Sequence, residues 1–213
     1  MHIIKCKEKK KGLIYMSKVA LLLSCLLLGA CKNEMEVDTQ INTVDEIMQC
    51  EGLESTCELL VNEVVEKLPL ELQDKIVDTS DRLVIYTGEK QDFLDYMLTK
   101  EKGIKSEGFS GITLYTYQQP TKIYSLADSY VVFHELGHAY DFTYWHNGNE
   151  ELLSHSKEWT DAYATEFISQ YGQTSSQEFY AETFSMYFRN PKLLQKFCPK
   201  AYELHEQEFK NMK

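Results

Sequence analysis

From residue 54 onward the chain alternates between stretches with apolar positions every three or four residues and shorter β-branched or aromatic runs. Over Glu54–Leu68, Cys57, Leu60, Val61, Val64, Val65 and Leu68 share one helical face, and Pro69 ends the run. Glu71–Val77 predicts a short second helix. Arg82–Thr87 (R-L-V-I-Y-T) predicts a strand closed by Gly88. Asp92–Thr99 reads as helix and Gly103–Gly111 as a loop. Ile112–Tyr117 (I-T-L-Y-T-Y) alternates as a strand does, and Gln118–Pro120 ends it. A largely apolar helix follows over Asp128–Phe142, then a turn at Trp145–Glu150. The next helix carries Trp159, Ala162, Tyr163 and Phe167 on one stripe and stops at Gly172. Ser176–Arg189 is helical up to Asn190-Pro191, and Ala201–Asn211 predicts a last, polar helix. The order α, β, α, β, then mostly α implies an α+β fold.

The N-terminal pattern is different. Lys5, Lys7, Lys9, Lys10, Lys11 and Lys18 precede an unbroken apolar run, Val19–Ala30. Such a run is too short to span a bilayer as a helix but suits the core of a signal peptide. Met16 is an alternative start, since Met16-Ser17-Lys18 already supplies a basic lead-in. The run ends in Leu28-Gly29-Ala30-Cys31, which resembles the lipobox of bacterial lipoproteins. That resemblance implies a signal peptide over 1–30, acylation of Cys31, and a protein held to the outer face of a membrane without spanning it. A plain secretory signal and a cytosolic N-terminal helix are the alternatives. The polar, aperiodic stretch after Cys31, to Asp45, reads as a tether, with one globular domain over 46–213.

Composition narrows the options. The 213 residues are 43% hydrophobic and 26% charged, which suits a single globular core. The formal charge is −11, and no basic patch lies outside the extreme N-terminus, so no nucleic-acid partner is expected. Residues 1–30 carry six lysines and one glutamate, which leaves 31–213 at −16. Beyond Cys31 three cysteines remain, Cys50, Cys57 and Cys198. Cys50 and Cys57 bracket Glu51–Thr56 and either close a small disulfide loop or stay free. No C-x-x-C spacing points to a cysteine metal site.

The chemistry concentrates in Tyr130–Asp141 (Y-V-V-F-H-E-L-G-H-A-Y-D). His134 and His138 are four apart, so on a helix both imidazoles reach one ion, and neutral imidazole suits Zn2+. Glu135 lies beside the first histidine, where a carboxylate can take a proton from an activated water. Coincidence on a solvated helix face is the plain alternative, but the apolar flanks imply burial, and buried ionisable groups need partners. A catalytic zinc needs a third protein ligand. The metzincin pattern fails, because Asp141 and Tyr144 stand where it needs Gly and His. His146 is out of register, and His155 and His205 are expected on the surface. Glu178 and Glu182, four apart on an aromatic-rich helix, share a face. Glu178 is the candidate ligand, and Glu182 is placed to accept the outer N–H of a ligating histidine. Against this, Ser175-x-x-Glu178 also reads as a capping box, in which Glu178 needs no metal.

Phe133–Asp141 and Tyr171–Phe184 (Y-G-Q-T-S-S-Q-E-F-Y-A-E-T-F) together resemble the catalytic domain of anthrax lethal factor and the secreted Pro-Pro endopeptidases. Both groups are zincins with a glutamate as third ligand. The similarity runs from about Arg82 to the C-terminus, with Gly108–Tyr117 resembling the substrate-side loop and edge strand and Phe197-Cys198-Pro199 the C-terminal segment. It implies a zincin-like metalloprotease domain with a small mixed sheet and a mostly helical C-terminal half. It also implies one Zn2+ on His134, His138 and Glu178, Glu135 as general base, and Tyr171 as hydrogen-bond donor to the oxyanion. Leu136-Gly137 between the histidines is closer to lethal factor, whose large extra domains are not expected here, so its delivery and substrate are not carried over.

These features lead to a surface-tethered zinc endopeptidase, expected as a monomer. An extended peptide would pair with the edge strand Ile112–Tyr117, with Tyr115, Tyr117 and Phe109–Gly111 setting preference. Three other readings remain open from the sequence. One is an inactive zincin-fold lipoprotein that binds a partner. Another is a structural surface protein in which the motif is coincidental. The last is a hydrolase acting on something other than peptides.

Overall fold

The computed structural model describes residues 43–44, 48–52, 54–80, 83–87, 111–116, 119–126, 129–146 and 151–212, all within the unit Gln40–Lys213. The expected signal peptide, Cys31, the helix expected over Asp92–Thr99 and Phe109 lie outside the described residues, as do the side chains of Tyr115 and Tyr117. Val44, inside the stretch read as a tether, is fully buried, and its N–H donates to Gln73 Oε1 at 3.2 Å.

A four-stranded sheet forms from β1 (Met48–Glu51), β2 (Leu83–Tyr86), β3 (Gly111–Thr116) and β4 (Gln119–Leu126) in the order β1-β2-β4-β3. Met48 pairs with Leu83 and Leu83 with Ile123 in parallel, while Gly111 pairs with Ser125 in antiparallel. The sheet is therefore mixed, with β3 at an edge. Leu83, Val84 and Ile85 are all buried, as expected of a central strand covered on both faces.

Two strands escape the sequence pattern. β1 (M-Q-C-E) has too few apolar residues to register. β4 begins Gln-Pro, and proline normally argues against a central strand. Here Pro120 sits opposite Tyr115, beside the register shift between Leu114 and Tyr115, and such irregular points tolerate a missing N–H. Gln119 and Pro120 thus begin a new strand, where the sequence pattern had Gln118–Pro120 only ending one.

Helix α1 (Glu54–Lys67) buries Cys57, Leu60 and Val64. Helix α2 (Leu70–Thr79) is longer than expected and starts directly at Pro69. Gln73 on α2 is fully buried, but its amide donates to Val65 O (3.1 Å) and Leu68 O (2.9 Å), which clips the end of α1. Cys50 is exposed and Cys57 buried, and both are free thiols.

Helix α3 (Ser129–His146) packs against β3, β4 and α2, and Val132–Thr143 is buried throughout. A 3₁₀ turn (Leu153–His155) follows, held by the fully buried Asp141. Its Oδ1 accepts from Ser154 N at 2.8 Å and its Oδ2 from Ser154 Oγ at 2.7 Å. Helix α4 (Lys157–Thr165) is capped by Ser156 and buries Trp159 and Ala162.

The helix expected to reach Gly172 stops at Thr165. Glu166 adopts extended backbone, and its carboxylate accepts the N–H groups of Lys200 (2.7 Å) and Ala201 (3.0 Å) at the start of another helix. Helix continuation loses to this cap, so Phe167 falls outside the core stripe and is 60% exposed.

Helix α5 (Ser176–Arg189) matches the expected span. Asn190-Pro191 both ends it and begins α6 (Pro191–Phe197), with Asn190 Oδ1 accepting from Leu193 N. Proline at the first helical position costs nothing, because its missing N–H has no intrahelical partner there. Helix α7 (Pro199–Phe209) likewise starts on a proline, two residues earlier than expected.

α7 is not polar all round, and His205 is not a surface residue. It is fully buried, with ring centroids of Trp159, Tyr180 and Tyr187 at 4.6, 5.3 and 5.4 Å, and its Nε2 is 3.1 Å from Thr183 Oγ1. Burial pulls its pKa down to about 3, so it is a neutral core residue. His155 is exposed, as expected.

Candidate metal centre

The centre forms where α3 crosses α5. On α3, His134 and His138 face the same way because they are four residues apart. Between them, Gly137 lets the second helix approach. A Cβ there would lie 3.1 Å from Ala181 Cα and 3.1 Å from Phe184 Cβ on α5, so any side chain would hold the helices apart. Ser185 Oγ donates to Tyr130 O at 2.9 Å and adds a polar tie between them.

This crossing brings the first turn of α5 to the histidines. Ser175 Oγ caps that turn by accepting from Glu178 N at 3.2 Å. The capping reading of Ser175 is therefore correct, and it does not compete with the ligand reading, because the Glu178 carboxylate faces the imidazoles. Glu178 Oε2 lies 3.1 Å from His134 Nε2 and 3.2 Å from His138 Nε2, and the two Nε2 atoms are 3.2 Å apart.

Three donor atoms thus form a nearly equilateral triangle. Zinc–ligand bonds of ~2.0–2.1 Å in a tetrahedron place neighbouring ligand atoms roughly 3.3 Å apart. The donor set and its spacing therefore fit a zinc ion with one open position. Among the described residues, this is the group of His, Cys, Asp and Glu side chains able to hold a metal.

The electrostatics fit as well. Burial disfavours a charged His134, but the Glu178 and Glu182 carboxylates outweigh it and hold its pKa up at about 9. Glu178 feels the converse: burial raises its pKa, yet His134 and His138 hold it well below the usual carboxylate range. Carboxylate charge at this crossing thus favours a cation between the three groups. Glu182, one turn along α5, places Oε1 3.2 Å from His134 Nδ1.

Glu135 points elsewhere. It is buried, and burial raises its pKa against the pull of His138, His134 and Thr113. Thr113 Oγ1 on β3 lies 2.5 Å from Glu135 Oε2 and 3.1 Å from the Glu135 carbonyl oxygen. Gly111, two residues earlier on the same face of β3, passes so close that a Cβ would sit 2.5 Å from Glu135 Oε1. The edge strand therefore grips the carboxylate from one side. Sequence reading assigned Gly111 to the substrate loop and gave Thr113 no role, although their i, i+2 spacing was the available clue.

Tyr171 stands beside His134. It is 52% exposed, with its ring centroid 5.8 Å from that of His134. Burial and the nearby Glu178 and Glu135 charges push its phenol pKa up, so it remains a proton-bearing donor. The segment 166–175 that carries it is closely braced. Tyr163 Oη donates to Gln173 O (2.8 Å), Gln173 Nε2 to Glu166 O (2.9 Å), and Thr174 Oγ1 to Tyr171 O (2.7 Å). His134, His138, Glu178, Glu135, Glu182 and Tyr171 are all brought together, whereas Cys31 lies outside the described residues.

No protein-family model matches the sequence, and no curated protein sequence matches it. Solved structures do match, among them one described as the Pro-Pro endopeptidase PPEP-2 from Paenibacillus alvei. The TM-score is 0.59 at 16% sequence identity, over 78% of this chain and 99% of that one. At that identity the likeness is one of fold: the chain has an α+β fold like that of a solved Pro-Pro endopeptidase, and at its helix crossing stands a His-His-Glu cluster able to hold a metal ion.

Proposed function

We propose that this protein is a zinc-dependent endopeptidase that cuts extended peptide segments. The observation that carries the reading is the His134–His138–Glu178 donor triangle, flanked by a buried carboxylate and by a half-exposed phenol. A zinc ion held there would supply Lewis acidity, making a water nucleophilic near neutral pH and polarising the scissile carbonyl.

The protein's own groups do the rest. Glu135, held by Thr113 against Gly111, accepts a proton from the attacking water and passes it to the leaving amine. The raised pKa that burial gives it suits a base that must also release the proton. Tyr171 keeps its hydroxyl proton and donates a hydrogen bond to the developing oxyanion. Glu182 orients His134 through Nδ1. Among the described residues β3 is an edge strand, which suits pairing of its outer side with a substrate backbone. The Pro-Pro endopeptidase fold makes peptides with proline beside the scissile bond the first class to test.

The same proposal places the protein outside the cytoplasm, tethered as a monomer through acylated Cys31, with 1–30 removed. The Leu28-Gly29-Ala30-Cys31 sequence supports this. No helix among the described residues is long and apolar enough to cross a membrane.

The test is cleavage of a combinatorial peptide library that includes Pro-Pro sequences, read by mass spectrometry, with Glu135→Ala as control. Cutting by the wild type alone supports the reading. Stoichiometric zinc without cutting by either protein would refute it in favour of a binding role.

A further inference from the structure

Ser169 lies between α4 and α5, in the braced segment that carries Tyr171. Its hydroxyl makes two bonds. It donates to Glu182 Oε2 at 2.8 Å and accepts from Gly172 N at 2.8 Å. A serine hydroxyl has one proton to give, so the direction of both bonds is set: Gly172 N–H to Ser169 oxygen, and Ser169 O–H to the carboxylate. The other Glu182 oxygen is the one 3.2 Å from His134 Nδ1. Gly172 directly follows Tyr171. One hydroxyl therefore joins the backbone of the phenol-bearing turn to the carboxylate that faces a metal-ligand histidine.

The surroundings make this junction close-fitting. A Cβ on Gly172 would lie 2.6 Å from Ile168 Cγ2, 3.3 Å from Ser169 Oγ and 3.4 Å from Glu182 Cγ. The turn thus lies directly against Glu182, with no room for a side chain. Glu182 also bonds the Tyr130 side chain, and the Tyr163, Gln173 and Thr174 bonds hold the rest of the segment. Removing the Ser169 hydroxyl would therefore loosen the junction without orphaning the carboxylate or releasing the whole segment.

We propose that Ser169 is a positioning residue that couples the orientation of His134 to the placement of Tyr171. It touches neither metal nor substrate and acts through Glu182 and Gly172. The inference rests on the reading of His134 as a metal ligand and Tyr171 as an oxyanion donor. Partners of metal-ligating histidines typically contribute ~10–100-fold in metal affinity or activity, and Ser169 stands one bond further out, so its effect belongs at the lower end of that range.

The test uses Ser169→Ala, Ser169→Thr and Tyr171→Phe in the full chain, with circular dichroism to confirm folding. Zinc affinity is measured by competition with a chromogenic chelator, and kcat and KM on a cleaved peptide. In S169A, zinc affinity and kcat should each fall about tenfold with KM within about twofold, and S169T should recover most of both. Adding S169A to Y171F should cost much less in kcat than S169A alone, because the phenol it positions is already gone. Zinc affinity within twofold of wild type in S169A, or effects of S169A and Y171F on kcat that simply multiply, would overturn the proposal. Failure of the peptidase reading looks different. A wild type that binds zinc but cuts nothing removes that reading, and the zinc affinities of S169A and S169T then decide the role of Ser169. A wild type that binds no zinc removes both.

Discussion

Replacing Gly111 with alanine tests the grip on Glu135 directly. The new Cβ would lie 2.5 Å from Glu135 Oε1, 2.7 Å from Val131 Cγ1 and 3.0 Å from Glu135 Cγ. An ordinary carbon–oxygen contact is about 3.3 Å, so the carboxylate must retreat by roughly 0.8 Å. Gly111 is not among the described glycines with positive φ, so alanine meets no backbone strain and the effect is purely one of space. The displaced atoms belong to side chains rather than to backbone. The stability cost should therefore stay near the low end of overpacking, about 1 kcal/mol. Catalysis is less forgiving, because a displacement of about 1 Å in a reacting group costs on the order of 10²-fold.

G111A should thus lower kcat about 100-fold while leaving zinc stoichiometry unchanged and lowering the melting temperature by only about 2–4 °C. Gly137→Ala is the contrasting variant. Its Cβ meets the Ala181 backbone at 3.1 Å, so α5 itself must shift, and Glu178 with it. G137A should lose stability by about 1–3 kcal/mol and zinc affinity as well. The assays are steady-state peptide cleavage, thermal denaturation and chelator competition on both variants. If G111A kept kcat within threefold of wild type, the edge strand would not be positioning Glu135.

Glu178→Ala should abolish one-to-one zinc binding in metal analysis of the purified protein, since it leaves two ligands; retained stoichiometric zinc would show that another group closes the site. Because carboxylates hold the His134 pKa up at about 9, zinc must displace a proton at neutral pH. Affinity should rise by up to about tenfold per pH unit toward pH 9, with proton uptake by the buffer in calorimetry, and a flat profile from pH 6 to 8 would contradict this. Away from the site, burial pushes Glu208 up to about 7, with Tyr140 Oη 3.0 Å from its Oε1. The native state then holds this proton more tightly than the unfolded chain, so stability falls as pH rises from about 4.5 through 7, by at most roughly 3 kcal/mol. Glu208→Gln should flatten that limb of the stability–pH curve, and an unchanged limb in urea titrations would assign it to other groups.

The legible parts of this protein were periodic ones. α1, α3 and α5 follow their apolar or aromatic spacing, and β2 its run of Leu83, Val84 and Ile85. What was missed depends on partners far along the chain. α4 stops early because Glu166 finds the N–H groups of Lys200 and Ala201. β4 survives its proline because an irregular pairing with β3 absorbs it. His205 is buried because α7 packs it among aromatic rings from α4 and α5, and no local pattern marks a histidine for that.

The candidate site divides along the same line. Helical period alone puts His134 and His138 on one face and Glu178 and Glu182 on another, because a turn of 3.6 residues makes neighbours of positions four apart. Those pairs, with Glu135 beside the first histidine, were determined by the sequence. That the two faces meet was decided only in the folded chain, where Gly137 admits α5 until Glu178 Oε2 stands 3.1 Å from His134 Nε2. The same holds for Thr113 and Gly111 against Glu135, and for Ser169 between Glu182 and Gly172. The contacts of Thr113 and Gly111 with Glu135, and of Ser169 with Glu182, join positions far apart in the chain, so only the packing of separate elements brings them together.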